Sequence, residues 1–265
     1  MSPSPDAAGS APDAGEHVIQ GHRVALPVQV RDASAFLGAY SVPARAAQDV
    51  IDYSGLDVLQ HRPGKALCCL LFVRYEDGDL GRYHEFGVSF FVRPPGGPGD
   101  AGGRSGRDLA HLVRGRAGVF IHRLPVDGEF TCEAGRSIWG FPKVVTDIDL
   151  LERERQRRAV LRFGGEPAVD LRVGGGVPVP GGGMATSLDA YTRFGGVTRR
   201  VPWRMRASGT RLRPGGAELR LGEHEAASEL AGLELPRRAL MSSSIGKLRM
   251  SFGAAEEVDV ASKRR

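Results

Sequence analysis

The sequence predicts a mainly β, single-domain protein, and three features carry that reading. Glycine and proline are abundant, at 37 and 17 of 265 residues, which favours a chain of turns over one of long helices. The apolar stretches are short and of strand length. Turn signals recur about every 8–12 residues, the spacing of a sandwich or barrel. No composition shift or internal repeat divides the chain.

Taken in order, residues 1–17 read as a disordered lead-in, rich in Ser, Pro, Ala and Gly and without the basic start and apolar stretch of a signal peptide. A single domain then spans 18–260. Residues 22–30 alternate as a strand, and 33–51 look helical with an interruption at Pro43. Residues 66–75 form a continuous apolar run, expected as a strand buried on both faces. The turn 76–79 (Glu-Asp-Gly-Asp) leads to a partner strand at 84–92, giving a hairpin. Residues 93–107, with the run Pro-Pro-Gly-Gly-Pro-Gly, read as a flexible surface insertion. Strands at 119–124 and 130–132 bracket the turn Val126-Asp127-Gly128, and 144–151 with 159–163 form another hairpin. Residues 173–183 are again rich in Gly and Pro. Further strands follow at 187–194, 203–207, 218–221 and 248–252, with one short helix at 225–230.

Bulk properties narrow the function classes. Hydrophobic residues at 41% and charged residues at 25% are ordinary for a globular protein. No apolar run approaches the roughly 20 residues that span a bilayer, so no membrane partner is expected. The net charge of +5 raises nucleic acid as a partner. The arginines, however, are scattered among acids and glycines rather than gathered on one basic helix, so none is expected. Cys68, Cys69 and Cys132 cannot build a disulfide framework, since the adjacent pair points to opposite faces of a strand. Reduced thiols and a cytoplasmic setting follow as the expectation. No Cys/His spacing suits zinc, so no metal is expected.

The chemistry concentrates in Glu133-Ala-Gly-Arg-Ser-Ile-Trp-Gly-Phe-Pro-Lys143. Only four of the 36 basic residues are lysines, and this one follows a proline that fixes the local backbone. Its neighbours Ile138, Trp139, Phe141, Val144 and Val145 are apolar. Desolvation there is expected to lower the Lys143 pKa and free the neutral amine that forms a Schiff base with a carbonyl. The same residues also read as a lysine at a strand start that lays its stem on apolar neighbours and its head in water.

The segment 133–143 resembles the Gly-Arg…Pro-Lys signature of the acetoacetate decarboxylase superfamily, in which the lysine is the imine-forming residue. Other stretches are similar to that family in the same order. Gly21-His-Arg-Val24 followed by Val30-Arg31-Asp32 resembles its N-terminal strand, and Gly81-Arg-Tyr-His-Glu-Phe-Gly87 the segment ending in an active-site glutamate. Gly118-Val-Phe-Ile-His122 resembles the strand before the signature. Gly209-Thr-Arg-Leu-Arg213 and Met241-Ser-Ser-Ser244 resemble the last strands. The resemblance, over about residues 20–260, implies a large antiparallel β-barrel or cone-like sheet with a few short peripheral helices and an interior active site. It further implies a homo-oligomer that needs no metal or organic cofactor, because the lysine supplies the electrophile.

Carried over by position, the resemblance makes Lys143 the nucleophile, Glu85 a general acid/base whose burial would raise its pKa, and Arg23 the holder of a substrate carboxylate. Arg23 is equally suited to a salt bridge with Glu85, and Glu85 by itself also reads as a surface carboxylate on an edge strand. Tyr83, Arg136, Trp139 and Phe141 are the expected substrate-binding residues, and Glu133 or Arg136 is expected to orient the loop. Two positions depart from the decarboxylase pattern: Val144 stands where a second lysine follows the reactive one, and an ungapped count from Glu85 puts Leu70 where another glutamate would be. The function expected is therefore a Schiff-base lyase on a small oxo-acid, decarboxylase-like. An aldolase-dehydratase or cyclase on a larger oxo-acid and a non-catalytic binding member are the alternatives.

Overall fold

The computed structural model describes residues 15–95, 108, 111–112, 115–153, 156–180 and 183–260; the lead-in up to residue 14 and most of the 93–107 insertion lie outside them. Glu16 and His17 belong not to a lead-in but to a first strand, β1 (Glu16–Ile19), which forms a hairpin with β2 (His22–Ala25). The long β3 (Val28–Pro43) runs into helix α1 (Ala44–Ile51). β4 (Gln60–Arg62), β5 (Lys65–Gly78), β6 (Tyr83–Val92) and β7 (Gly118–Arg123) follow. Helix α2 (Glu129–Ala134) precedes β8 (Asp147–Arg153), β9 (Gln156–Phe163) and β10 (Glu166–Gly174). Next come β11 (Val177–Pro178), β12 (Met184–Phe194), β13 (Val197–Pro214) and β14 (Ala217–Leu221). Helix α3 (Glu225–Gly232), β15 (Met241–Phe252) and β16 (Glu256–Glu257) complete the order.

Seven strands close into a barrel: β13, β12, β7, β6, β5, β3 and β15 are bonded in that order, and β15 returns to β13. An odd number of strands cannot alternate direction all the way round, so at least one neighbouring pair must be parallel. That pair is β7 with β12, which meet at Val119 against Ala190 and Phe120 against Tyr191. The rest of the ring is antiparallel.

The two-residue period of a strand sorts its side chains between two environments. On β5 and β6, Cys68, Leu70, Phe72, Phe86, Val88 and Phe90 point out of the barrel. They join Leu161, Val169 and Leu171 of a second, four-stranded sheet, β14–β10–β9–β8, in one core that also takes in Leu230 and Leu233 at α3. The intervening residues Leu71, Val73, Tyr75, Tyr83, Glu85, Gly87 and Ser89 line the barrel interior. Both faces of β5 are therefore covered, and its sequence reads as one apolar run. Cys68 and Cys69 lie on opposite faces as free thiols, and burial pushes Cys69 up to about 12, so it stays protonated.

Several segments differ from the sequence reading. Residues 33–43 are strand, not helix: the small residues there permit a helix, but β5 and β15 bond the segment from both sides. The helix begins only after Pro43, which occupies its N-cap position. Residues 130–132 are helical, with Thr131, Ala134, Gly135 and Ile138 buried at helical spacing. Val144 and Val145 precede the strand and are about half exposed, at 46% and 48%. β10 fills a stretch in which the sequence reading placed no strand, and its last two residues, Val173 and Gly174, come from the run taken as rich in Gly and Pro. No helix among the described residues is long and apolar enough to cross a membrane.

Leu70 is fully buried between barrel and second sheet, at 0% exposure. Leu70→Ala should lower unfolding stability by about 2–5 kcal/mol in a denaturant titration, the usual range for a core leucine. Reactivity at the barrel interior should be retained, because the side chain is on the other face.

Candidate active site

The inner face of β6 presents Tyr83 and Glu85 to the barrel interior, while β5 contributes Tyr75. A second chain segment is laid alongside. Val126 bridges to Glu85 on one side and to Val145 on the other, and the amides of Phe86 and Val126 donate to the carbonyls of Pro125 and Val144, both at 2.9 Å. This improvised ladder draws the residues just before Val145 against β6. Lys143 is thereby placed opposite Glu85.

Between Val126 and Lys143 the chain makes helix α2 and a wider turn over Gly135–Trp139. Gly140 ends the turn at φ +71°, a left-handed conformation that a side chain would strain. The turn is pinned by two bonds across the barrel end and closed by one within itself. Thr192 Oγ1 donates to the Gly140 carbonyl at 2.7 Å, Trp139 Nε1 donates to the Gly253 carbonyl at 2.8 Å, and the Phe141 amide donates to Gly135 O at 3.0 Å.

Lys143 Nζ lies 2.8 Å from Glu85 Oε2, with only 3% and 9% of the two side chains exposed. The ammonium also donates to Thr131 Oγ1 at 3.3 Å and sits 5.0 Å over the Tyr83 ring. Tyr83 stacks on Tyr75 with centroids 4.1 Å apart, and the Tyr75 hydroxyl donates to Glu85 Oε1 at 2.8 Å. Burial pushes Tyr83 up to about 12 and Tyr75 well above the ordinary phenol value, so both remain neutral donors.

Lys143 departs from the expected pKa direction. Burial is the largest influence and pulls its ammonium toward neutrality. The Glu85 carboxylate, the Tyr83 phenol and the hydrogen bond to Glu85 act the other way and hold Lys143 above the ordinary lysine value. The site is an ion pair, with Glu85 Oε2 the nearer acceptor to the ammonium at 2.8 Å.

The structure brings Lys143, Glu85, Tyr83, Trp139 and Phe141 together around a cavity of about 170 Å³. It does not bring Arg23 there. Arg23 lies on the exposed β2 edge, with 67% of its side chain in solvent and Nη1 2.7 Å from Glu16 Oε2. Its contact is with Glu16, not Glu85. Arg136 is also exposed, with its guanidinium 5.0 Å over the Phe194 ring, outside the cavity wall. Glu133 accepts from Gln20 Nε2 at 2.8 Å and so ties α2 to the first hairpin. Val144 and Val145 face outward rather than surrounding the amine. Leu70 points into the outer core; the cavity-facing residues of β5 are Leu71, Val73 and Tyr75. A count off by one residue changes the face of a strand, and an ungapped alignment cannot detect that.

Three contributors were not singled out from sequence, Tyr75, Thr131 and Trp203, and Gly135 stood there only as the glycine of the Gly-Arg signature, with no role of its own. Tyr75 sits directly across the hairpin from Tyr83, so the register alone would have flagged it. Thr131 and Trp203 carry no local signal. Among the described residues no group of three or more His, Cys, Asp or Glu is placed to hold a metal ion.

Gly135 has ordinary helical backbone angles, φ −62° and ψ −38°, so its conformation does not require glycine. Its role is space: a Cβ there would meet Lys143 Cδ at 2.5 Å and Cε at 2.6 Å. Gly135→Ala should displace the amine by a good fraction of an ångström and slow reductive labelling of Lys143 by about tenfold to a hundredfold. Far-UV circular dichroism should be unchanged. Wild-type labelling rates in the variant would remove this role.

Comparison with known proteins gives a consistent picture. The profile of the family described as acetoacetate decarboxylase matches residues 19–259. No curated protein sequence matches the chain. Among solved structures, the chain is similar to an acetoacetate decarboxylase from Legionella pneumophila at 16% identity and TM-score 0.64, covering 96% of this chain and 94% of that one. It is similar to the enduracididine biosynthesis enzyme MppR complexed with pyruvate at 14% identity and TM-score 0.60, covering 90% and 93%. An acetoacetate decarboxylase-like enzyme from Sphingomonas wittichii RW1 gives 14% identity and TM-score 0.53, covering 89% and 94%. With the family profile spanning nearly all of the barrel and its interior lysine, the chain belongs to the acetoacetate decarboxylase family.

Proposed function

We propose that this chain is a Schiff-base-forming lyase in which Lys143 condenses with the carbonyl carbon of its substrate and Glu85 handles the protons. The observation that carries the reading is the buried 2.8 Å contact between Lys143 Nζ and Glu85 at the wall of an apolar cavity. A substrate that fills the cavity and excludes water weakens the ion pair relative to its neutral form, since isolated charges are poorly tolerated in a dry interior. The proton then passes to Glu85, the amine attacks, and Glu85 returns the proton to the departing water. The iminium that results withdraws electrons from the neighbouring carbon–carbon bond. Glu85 is equally placed to remove a proton from the adjacent carbon and give an enamine.

Loss of CO₂ and aldol-type condensation both proceed through that iminium. The enduracididine enzyme of similar fold has been solved with the condensation product of pyruvate and imidazole 4-carboxaldehyde. That precedent favours carbon–carbon bond formation between two carbonyl compounds as the second reading. The carboxylate-holding role expected of Arg23 has no occupant among the described residues that line the cavity.

Borohydride reduction in the presence of aldehydes, ketones, pyruvate and acetoacetate should leave a mass adduct on Lys143. A complete absence of adduct would leave only a binding role for the cavity. Glu85→Gln removes the carboxylate but leaves the burial, so the Lys143 pKa should fall below the ordinary lysine value. In that variant the pH at which labelling reaches half its maximum should move down, while turnover is lost with the proton carrier. An unmoved labelling profile would show that Glu85 does not govern the amine.

A further inference from the structure

We propose that the cavity in front of Lys143 takes an uncharged carbonyl compound with an apolar body, an aldehyde or ketone without a carboxylate. The proposal rests on the imine reading and names its substrate class. Among the described residues that line the cavity, only Lys143 and Glu85 carry charge, and they are already paired with each other. The remaining wall is mostly aliphatic and aromatic, with Leu37, Leu71, Leu124, Phe141 and Ile245 representative of it, and its polar members, among them Gln29 and Ser89, are neutral. A carboxylate brought inside would be a second buried anion with no cation to meet it.

The distribution of basic residues sharpens this. On β13, Trp203 and Met205 line the cavity while Arg204 and Arg206 are exposed; on β15, Leu248 and Met250 line it while Lys247 and Arg249 are exposed. The chain has 36 basic residues, and the strand period keeps these four out of the cavity. A substrate carboxylate would need one of them inside.

Charge balance through the reaction agrees. The resting pair is an ammonium and a carboxylate. Condensation with a neutral carbonyl breaks its C=O bond, forms C=N to Lys143 and releases the oxygen as water. An iminium then faces the same carboxylate, so the buried charge is unchanged. An oxo-acid would leave one uncompensated negative charge throughout.

Size adds a further constraint. The cavity volume of about 170 Å³ matches the roughly 150 Å³ apolar cavities that stay dry and accept a benzene-sized guest.

The test is reductive labelling of the full chain, scored as the ratio of adduct on Lys143 to adduct on exposed Lys247, which cancels intrinsic carbonyl reactivity. The ratio should be at least about tenfold higher for hexan-2-one or phenylacetaldehyde than for pyruvate or acetoacetate. It should rise about fourfold per added methylene until the cavity is full. An equal or higher ratio for the oxo-acids overturns the substrate class and leaves the imine chemistry standing; no Lys143 adduct with any carbonyl removes the imine reading itself. A second measurement does not depend on imine formation: hexan-1-ol should raise the melting temperature and hexanoate should not. Equal stabilisation by hexanoate overturns the uncharged class.

Discussion

The contact between Lys143 and Glu85 sets the terms for the rest of the molecule. Two opposite charges are held 2.8 Å apart almost out of reach of water. Such a pair is tolerable only while both members are present and hydrogen-bonded, since either one alone would be an uncompensated buried charge. The surrounding groups answer that demand. Tyr75 donates to the second carboxylate oxygen, Thr131 accepts from the ammonium, and the Tyr83 ring offers its face to the cation. Burial alone would have produced a free amine. The carboxylate instead holds the ammonium in an ion pair.

Closing the sheet is what gives these charges an interior. A barrel strand has one face inside and one face outside, and this chain uses them for different purposes. The outer faces of β5 and β6 join the four-stranded sheet in the main core, through side chains such as Leu70, Phe72 and Phe86. The inner faces carry the site. Substitutions on one face therefore act mainly on stability and those on the other mainly on chemistry. The alternation of basic and apolar residues along β13 and β15 is the same device applied to charge.

The site is nonetheless assembled from distant parts of the chain. Glu85 and Lys143 meet because Val126 bridges both of their segments, and the turn before Lys143 is anchored by Thr192 and Gly253. Gly135 then leaves the room through which the lysine stem passes. All but the contact of Gly135 with Lys143 are long-range, and none follows from local propensity.

The sequence by itself determined the strand-rich class, the hairpin of β5 and β6, and the segment that carries the lysine. These are encoded locally, in turn residues, in apolar runs and in a lysine set after Phe-Pro where basic residues are otherwise nearly all arginine. Resemblance extended this to Glu85, which the barrel does bring to Lys143. Tertiary structure alone decided the rest. It put Arg23 on the surface with Glu16, turned Leu70 away from the cavity, exposed Val144, made strand of 33–43 and brought Tyr75 and Trp203 to the interior wall. It also reversed the expected direction of the Lys143 pKa. The physical reason is common to all of these: which face of a strand looks inward, and which charge lies across the gap, depends on partners far away in the chain.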